Sequence, residues 1–332
     1  MKRIDVIATS ISGSISDWSK VRRIVPLFKE LGFDNVNLHE TDSHQDAREV
    51  ACRVILEGGR HPISAGGSGT FRAVLEGCID SEVKADDIRL GFLRKGSADL
   101  IGKVLGMPDE IENAIRVFAE AIQTDTILPA DILTACSRHE PNKRLNFIGY
   151  GGTGIFGRIP HFTENRFIKY YKGILGQMFG DLGPFTTGMI LALIETALKS
   201  PFQKSQKQQI RIDDNDVAEG VYRTIIIVNG NLGPDLPFSD KPLGNKEFYV
   251  YCIQDKGFIK LFQQARHAKD GTIMNDPDQW GFESYTVGKH LTIYGDADTT
   301  FPVNIDGSTL LARTALEITR TGTISLLTNS GF

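Results

Sequence analysis

The 332-residue sequence is short of the features that would place it quickly. Four cysteines occur, Cys52, Cys78, Cys136 and Cys252, and none lies in a CxxC pair. The seven histidines show no metal-ligand spacing beside them. A disulfide framework and a structural zinc site are therefore not indicated, and buried free thiols in a reducing compartment are expected. Long apolar runs are also missing. The longest, Met189 to Leu198, is broken by Glu195, and a bilayer span needs roughly 20 apolar residues. The N-terminus turns polar at Asp5 and the Ser/Thr residues that follow, too early for a signal-peptide core. A cytoplasmic protein is expected, with at most peripheral contact to a membrane. An excess of positive charge is absent as well: the net charge is −4, which argues against a general nucleic-acid binder.

What is present is an alternation of short apolar runs with helical stripes over the first third of the chain. Ile4 to Ala8, Asn35 to Leu38, His61 to Ala65 and Ile88 to Leu93 have strand character. Between them, Val21, Ile24, Val25, Phe28 and Leu31 keep helical spacing, with Pro26 a candidate kink. So do Ala47, Val50, Ala51, Val54 and Ile55, then Phe71, Val74, Leu75 and Cys78, and then Ile111, Ile115, Phe118, Ala119 and Ile122. This pattern predicts a parallel sheet with helices on both faces, and ligands in such sheets sit at the carboxyl ends of the strands.

Beyond about residue 130 strand-like runs dominate: Leu145 to Ile148, Tyr222 to Val228, Phe248 to Cys252, His290 to Tyr294 and Thr323 to Leu327. Helical stretches are expected near Glu164 to Met178 and Thr187 to Lys199. The polar segments Ser205 to Gln209 and Asp213 to Asp216 read as loops. The division expected is an α/β domain over 1–133 and a mainly antiparallel domain over 134–317, with 318–332 free to return to the first.

One motif carries chemistry. Gly66-Gly67-Ser68-Gly69-Thr70 stands between a predicted strand and a predicted helix. Glycines let the backbone approach an anion, and a helix N-terminus offers unbonded N–H groups to it. Alone, the motif fits a phosphate cradle or an unliganded tight turn equally well. A second segment follows in order: Leu90-Gly91-Phe92-Leu93, then Arg94-Lys95-Gly96-Ser97-Ala98-Asp99, then Leu105-Gly106-Met107-Pro108.

This order, GGxGT, LGxxxxGS and LGxP, resembles the diacylglycerol kinase catalytic family, which includes sphingosine and ceramide kinases. The family patterns read GGDGTLNEVVNG and LGxxPxGTxNDFAxxLGxP. Val6 to Gly13 occupies the place of the family's first strand and NPxSG turn, with Ser12 and Gly13 matching. Thr41 with Asp46-Ala47 looks like the family's Thr and GDA signature, and Gly77 matches the Gly that closes the GGDGT helix. Tyr170 to Phe185 is similar to a helical stretch of sphingosine kinases. Asn304-Ile305-Asp306-Gly307 resembles the VDGE turn.

The resemblance implies an NAD-kinase/diacylglycerol-kinase-like fold: a nucleotide-binding α/β domain and a β-sandwich-like lipid domain with ATP and Mg²⁺ in the cleft between them. The reaction implied is transfer of the γ-phosphoryl group to a lipid hydroxyl of diacylglycerol, sphingoid or ceramide type. Ser12, Gly13, Thr41, Gly66, Gly67, Ser68, Gly69, Thr70, Arg94, Lys95, Gly96, Ser97 and Asp99 are the implied nucleotide contacts, and Asp306 the implied general base. The partners implied are nucleotide, lipid, a membrane surface and a second copy of the chain.

The acidic positions depart from the family pattern. Ser68 replaces the GGDGT Asp, Ala73 the Glu of LNEVVNG, Leu100 the Asp of GTxND and Ser308 the Glu of VDGE. Mg²⁺ prefers carboxylate, phosphate and water ligands, so these losses put the metal site in doubt. They also keep a non-catalytic nucleotide- or lipid-binding relative open. Arg72, Arg94, Lys95 and Lys103 would then bind phosphate in place of metal, or would simply be solvated. Asp306-Gly307 also has the form of a hairpin turn.

Overall fold

The computed structural model describes residues 2–9, 21–94, 100–163, 184–199, 207–296 and 299–329. The chain forms two compact units: residues 1–132 with 322–332, and residues 133–321.

In the first unit, β1 (Ile4–Thr9), β2 (Val36–Thr41), β3 (His61–Gly66) and β4 (Arg89–Arg94) build a parallel sheet in the order β2-β1-β3-β4. All six residues of β1 are buried, as expected for a parallel strand with neighbours on both edges and helices on both faces. The end of the last strand, β15 (Ala315–Leu327), runs parallel beside β4, with Ser325 opposite Arg89 and Leu326 opposite Leu90. The order reverses between β1 and β3, because the chain leaves β1 toward β2 on one side and β3 toward β4 on the other. A crevice at the strands' carboxyl ends follows at that switch point.

The helices follow the predicted stripes. Helix is interrupted at Arg23, between Val21-Arg22 and α1 (Ile24–Glu30), where Pro26 has no N–H to offer the Arg22 carbonyl, so the expected irregularity falls there. The second helix, α2 (His44–Leu56), begins ahead of its first stripe residue, Ala47, because Ser43 is its N-cap and accepts from the Asp46 N–H at 3.0 Å. In α3 (Ser68–Asp80), Gly77 faces α2 so closely that a Cβ there would lie 2.6 Å from the Ala51 Cβ. Further along come α4 (Leu100–Val104) and α5 (Ile111–Thr124), the latter burying Ile115, Phe118 and Ile122. Of the four free cysteines, Cys78 and Cys252 are fully buried, whereas Cys52 and Cys136 are half-buried. Burial pushes the Cys78 thiol up to about 12, so it behaves as an inert apolar group.

Asp5 sits among these apolar side chains with no exposure, at the end of β1 opposite the glycine motif. It pairs with Arg3 at 2.8 Å and receives His39 Nε2 at 3.0 Å and Asn37 Nδ2 at 3.1 Å. Burial alone would raise its pKa. Hydrogen bonds from His39, Arg3 and Asn37, helped by the Arg3 charge, outweigh burial and hold it below the ordinary value. A depressed carboxyl stabilises the fold above the unfolded pKa of about 3.9, and that contribution disappears as pH falls through the folded value. Urea midpoints measured downward from neutral pH should fall below about pH 4, with a shallower slope in Asp5→Asn. An equal slope in the variant would remove Asp5 from the acid response.

The second unit is antiparallel. Its strands are β5 (Ile127–Ser137, which enters from the first unit), β6 (Glu140–Phe147), β7 (Tyr150–Gly154), β8 (Lys207–Ile212) and β9 (Asn215–Val228). They continue as β10 (Phe248–Gln254), β11 (Phe282–Val287), β12 (His290–Tyr294), β13 (Thr300–Ile305) and β14 (Ser308–Arg313). The long strand β9 serves two sheets: its first half pairs with β8 and its second with β7 and β10. Leu133, Phe147, Ile210, Ile225, Ile227, Leu291, Ile293, Val303 and Ile318 from these strands fill one core. The helices here are α6 (Ile155–Thr163), α7 (Pro184–Lys199), α8 (Phe258–Lys269) and the short α9 (Pro277–Trp280).

Both expected loops are corrected. From Lys207 onward the segment Ser205 to Gln209 is strand, because Gln208, Ile210 and Ile212 alternate inward. Only Asp213-Asp214 of the second loop is a turn, with φ of 44° and 70°. The whole of the expected helix Glu164 to Met178 lies outside the described residues, as do residues 170–183 of the stretch Tyr170 to Phe185.

Candidate nucleotide-phosphate site

The glycine motif lies at the switch point of the first unit's sheet. Gly66 ends β3, Gly67 is the N-cap of α3, and Ser68, Gly69 and Thr70 form its first turn. Gly67 is extended (φ −89°, ψ −174°) and no side chain caps the helix. The first N–H groups of a 13-residue helix therefore have no intrahelical partner and carry the positive end of its dipole.

Each glycine has its own reason to be there. A Cβ on Gly66 would collide with the Thr70 side chain, coming within 2.6 Å of its Cβ. On Gly69 it would lie 2.7 Å from the His44 ring. A Cβ on Gly67 would meet nothing within 4 Å. Protein packing thus explains Gly66 and Gly69 but not Gly67, whose bare backbone faces open space at the helix N-terminus. That is the cradle a phosphate needs.

Hydroxyls fix the cradle. Thr9, at the end of β1, and Thr70 share a hydrogen bond of 2.6 Å between buried Oγ1 atoms, which ties the start of α3 to the central strand. Thr41 lies opposite Thr9 in register, but it is buried and its hydroxyl donates to the Ala8 carbonyl at 3.0 Å. It holds the strand ends together. Ser68 is exposed at the helix start. His44 opens α2 beside Gly69, and burial first, then the Arg72 charge, holds its pKa below the ordinary value. Both effects favour the neutral form of the imidazole next to the cradle.

Arg94 ends β4 with its Cα in register with Gly66, so the segment that follows starts at the same sheet edge. Ser12, Gly13, Lys95, Gly96, Ser97 and Asp99 lie outside the described residues. Thr9 and His44 were not legible as site residues in the sequence. The only signal for His44 was its place directly after a helix-capping serine.

The described residues fit an anionic phosphate better than a protein-held metal. Among them no group of three His, Cys, Asp or Glu side chains is clustered as a metal site. At the cradle Ser68 stands where the family carboxylate was sought, and the hydroxyls of Thr9 and Thr70 lie beside it. Ala73, at the position of a family Glu, is buried against the core.

Asp306 belongs to the second unit and is engaged by backbone. It occupies the two-residue turn between β13 and β14 with φ 43°, followed by Gly307 with φ 84°. Its carboxylate accepts from the N–H groups of Ile148 (3.1 Å), Gly149 (3.2 Å) and Tyr150 (2.7 Å). Asp213 repeats this arrangement at another hairpin, with φ 44° and its carboxylate on Gly288, Lys289 and His290 at 3.3, 3.1 and 2.7 Å. Nothing relates Asp213 to a site motif. Two aspartates with one geometry read as one device, a clamp on the backbone of a neighbouring strand end. The three N–H groups give Asp306 a structural role at this turn, beside the role of general base that the resemblance implies.

The comparisons with known proteins agree with this architecture. Residues 3–133 match the profile of the diacylglycerol kinase catalytic domain. That stretch is thereby assigned to the diacylglycerol kinase catalytic-domain family. A diacylglycerol kinase structure from Bacillus anthracis str. Sterne is similar over 99% of this chain and 98% of its own, at 14% identity and TM-score 0.66. An NAD kinase from Archaeoglobus fulgidus, in complex with ATP, is similar over 98% of this chain and 94% of its own, at 12% identity and TM-score 0.53. At such identities the likeness is one of fold. No match is found among curated proteins.

Proposed function

We propose that the protein binds ATP through the N-terminus of α3 and transfers its γ-phosphoryl group to a lipid hydroxyl, in the manner of diacylglycerol kinases. The observation that carries the reading is Gly67, a helix N-cap with no side-chain cap and, among the described residues, no neighbour within 4 Å that would exclude a Cβ. The N–H groups of the first turn of α3 receive a phosphate, and the Thr9–Thr70 hydrogen bond keeps them aimed. Phosphoryl transfer needs little covalent chemistry from the protein, so positioning and charge neutralisation are its main contribution. Mg²⁺ would enter on the phosphates of ATP, with neutral hydroxyls rather than the Asp of GGDGT beside it.

A second reading is favoured by Ser68 and by the clamped Asp306: a relative that binds nucleotide or lipid without turnover. Purified protein incubated with Mg-ATP and diacylglycerol, ceramide or sphingosine separates the two. Phosphorylated lipid supports the kinase. A rise in melting temperature with ATP but no product supports the binder, and no response to ATP or lipid refutes both.

Ser68→Asp sharpens the test. An anion in the first turn of α3 should stabilise the free protein by about 0.3–1 kcal/mol through the helix dipole. It should weaken binding of metal-free ATP, restore it with Mg²⁺, and raise turnover. Equal binding of ATP with and without Mg²⁺ by this variant would show that position 68 does not face the phosphates.

A further inference from the structure

The first unit holds three histidines, His39, His44 and His61. Two are engaged by the protein: His39 Nε2 meets the Asp5 carboxylate at 3.0 Å, and His61 Nδ1 meets the Arg3 carbonyl at 3.2 Å. The His44 ring has no hydrogen bond to another described residue. It lies instead on the first turn of α3, where Gly69 leaves room for it. A Cβ on Gly69 would come 2.7 Å from the ring Cε1 and 2.8 Å from Nε2. The ring nitrogen Nε2 therefore sits beside the backbone whose N–H groups make the cradle, while the residue itself stays exposed. His44 is also the first residue of α2, directly after the N-cap Ser43, and the short link from the end of β2 brings it to the sheet edge that carries the glycine turn.

The surroundings disfavour a proton on this ring in the protein alone. Along its own segment the charged neighbours are Asp42, Asp46 and Arg48, and Arg48 is held by Asp80 at 2.5 Å and Glu76 at 3.8 Å. The facing helix α3 contributes Arg72 and Glu76, and Thr9 and Thr41 at the strand ends carry no charge. Partial burial against α3 comes first, and Arg72 is the residue whose charge reaches the ring; both favour the neutral form. The N-terminus of α2, the positive end of its dipole, acts in the same sense. A phosphate on the cradle reverses the balance. An opposite charge within about 4–6 Å favours the charged form by roughly ten- to a thousandfold. Histidine is the side chain for which this matters at pH 7, because its ordinary pKa is about 6.5.

We propose that His44 binds a phosphate of the nucleotide held at α3 and takes up a proton from solvent as the nucleotide enters. The inference rests on the ATP site proposed above and gives that site a cation that exists only while it is filled. The neutral ring gains the proton on its bare nitrogen, and the imidazolium donates to a phosphate oxygen. ATP affinity accordingly rises as pH falls through the pKa of the complex and levels off below that of the protein alone. Full-length protein is titrated with ATP, with and without Mg²⁺, by calorimetry in two buffers of different ionisation enthalpy, and His44→Gln is treated in the same way. The terminal phosphate of ATP also titrates, near pH 6, so the quantity read is wild type minus variant. At pH 7 wild type should take up about half a proton more than the variant, and its affinity should gain roughly tenfold more between pH 8 and pH 6. Without ATP the two should melt alike, since the residue is exposed. In NMR spectra the ring resonance missing from His44→Gln should titrate at higher pH with ATP than without. Equal proton uptake and equal pH slopes in the two proteins overturn the role of His44 and leave the nucleotide site standing. A ring titration unmoved by ATP overturns it as well. Wild type that binds no ATP in either condition removes the nucleotide site and this inference together.

Discussion

Gly67→Ala abolishes stabilisation by ATP while leaving the free protein almost as stable as before. The position is an N-cap, where glycine and alanine differ by no more than about 1 kcal/mol, and the added methyl group meets no protein atom within 4 Å. At the proposed site the methyl group occupies the space a phosphate oxygen would need. The expected loss of affinity is on the order of 10²-fold, comparable to what about 1 Å of misplacement costs in rate. At ATP concentrations 100 times the dissociation constant, binding adds about 2.7 kcal/mol to stability, and a 100-fold weaker site keeps only about 0.4 kcal/mol. Thermal unfolding with and without ATP reads this directly. The contrasting variant is Gly66→Ala, where the clash with Thr70 costs about 1–3 kcal/mol in the free protein. A Gly67→Ala protein with undiminished ATP response would move the phosphates away from α3.

The second large effect is expected at Asp306. Removal of its carboxylate in Asp306→Ala strands the N–H groups of Ile148, Gly149 and Tyr150 at the start of β7. Hydrogen bonds to a charged group contribute about 1.5–3 kcal/mol each, and since neighbouring bonds do not add fully, a total loss of about 3–5 kcal/mol is expected. The backbone at φ 43° adds strain of about 1 kcal/mol for alanine. The melting temperature should fall on the order of 10 °C. Asp306→Asn decides between clamp and base. A clamp requires a lowered melting temperature, because the amide N–H group cannot accept from backbone N–H groups. A general base requires an unchanged melting temperature with turnover lost. Unaltered stability in Asp306→Asn would return the residue to the catalytic assignment.

The first unit was largely legible because its signals are local. Strands buried on both faces read as continuous apolar runs, and helices such as α2, α3 and α5 repeat their apolar residues at helical spacing. The second unit was less legible. Strand β8 is polar in sequence, KQQIRI, and is strand only because β9 and β12 flank it. Helix α8 was likewise unmarked. The half of β9 that pairs with β8 is exposed and polar, so no window around it stands out. In antiparallel structure the partner strand supplies the hydrogen bonds and the burial, and neither is written in the local sequence.

The sequence by itself determined that residues 66–70 form a glycine-rich strand-to-helix turn, and that the acids expected around it are missing. Spacing and residue type suffice for that, since backbone freedom and charge belong to single residues. Only the tertiary structure decided what each residue of the turn does. Gly66 makes room for Thr70, Gly69 for His44, and Gly67 for none of the described residues. Only it could show that Thr41 is spent on the Ala8 carbonyl, and that Asp306 holds the same kind of backbone clamp as Asp213. These are contacts between residues roughly 30 to 160 positions apart, and no local pattern encodes which distant group fills a side chain's remaining valences.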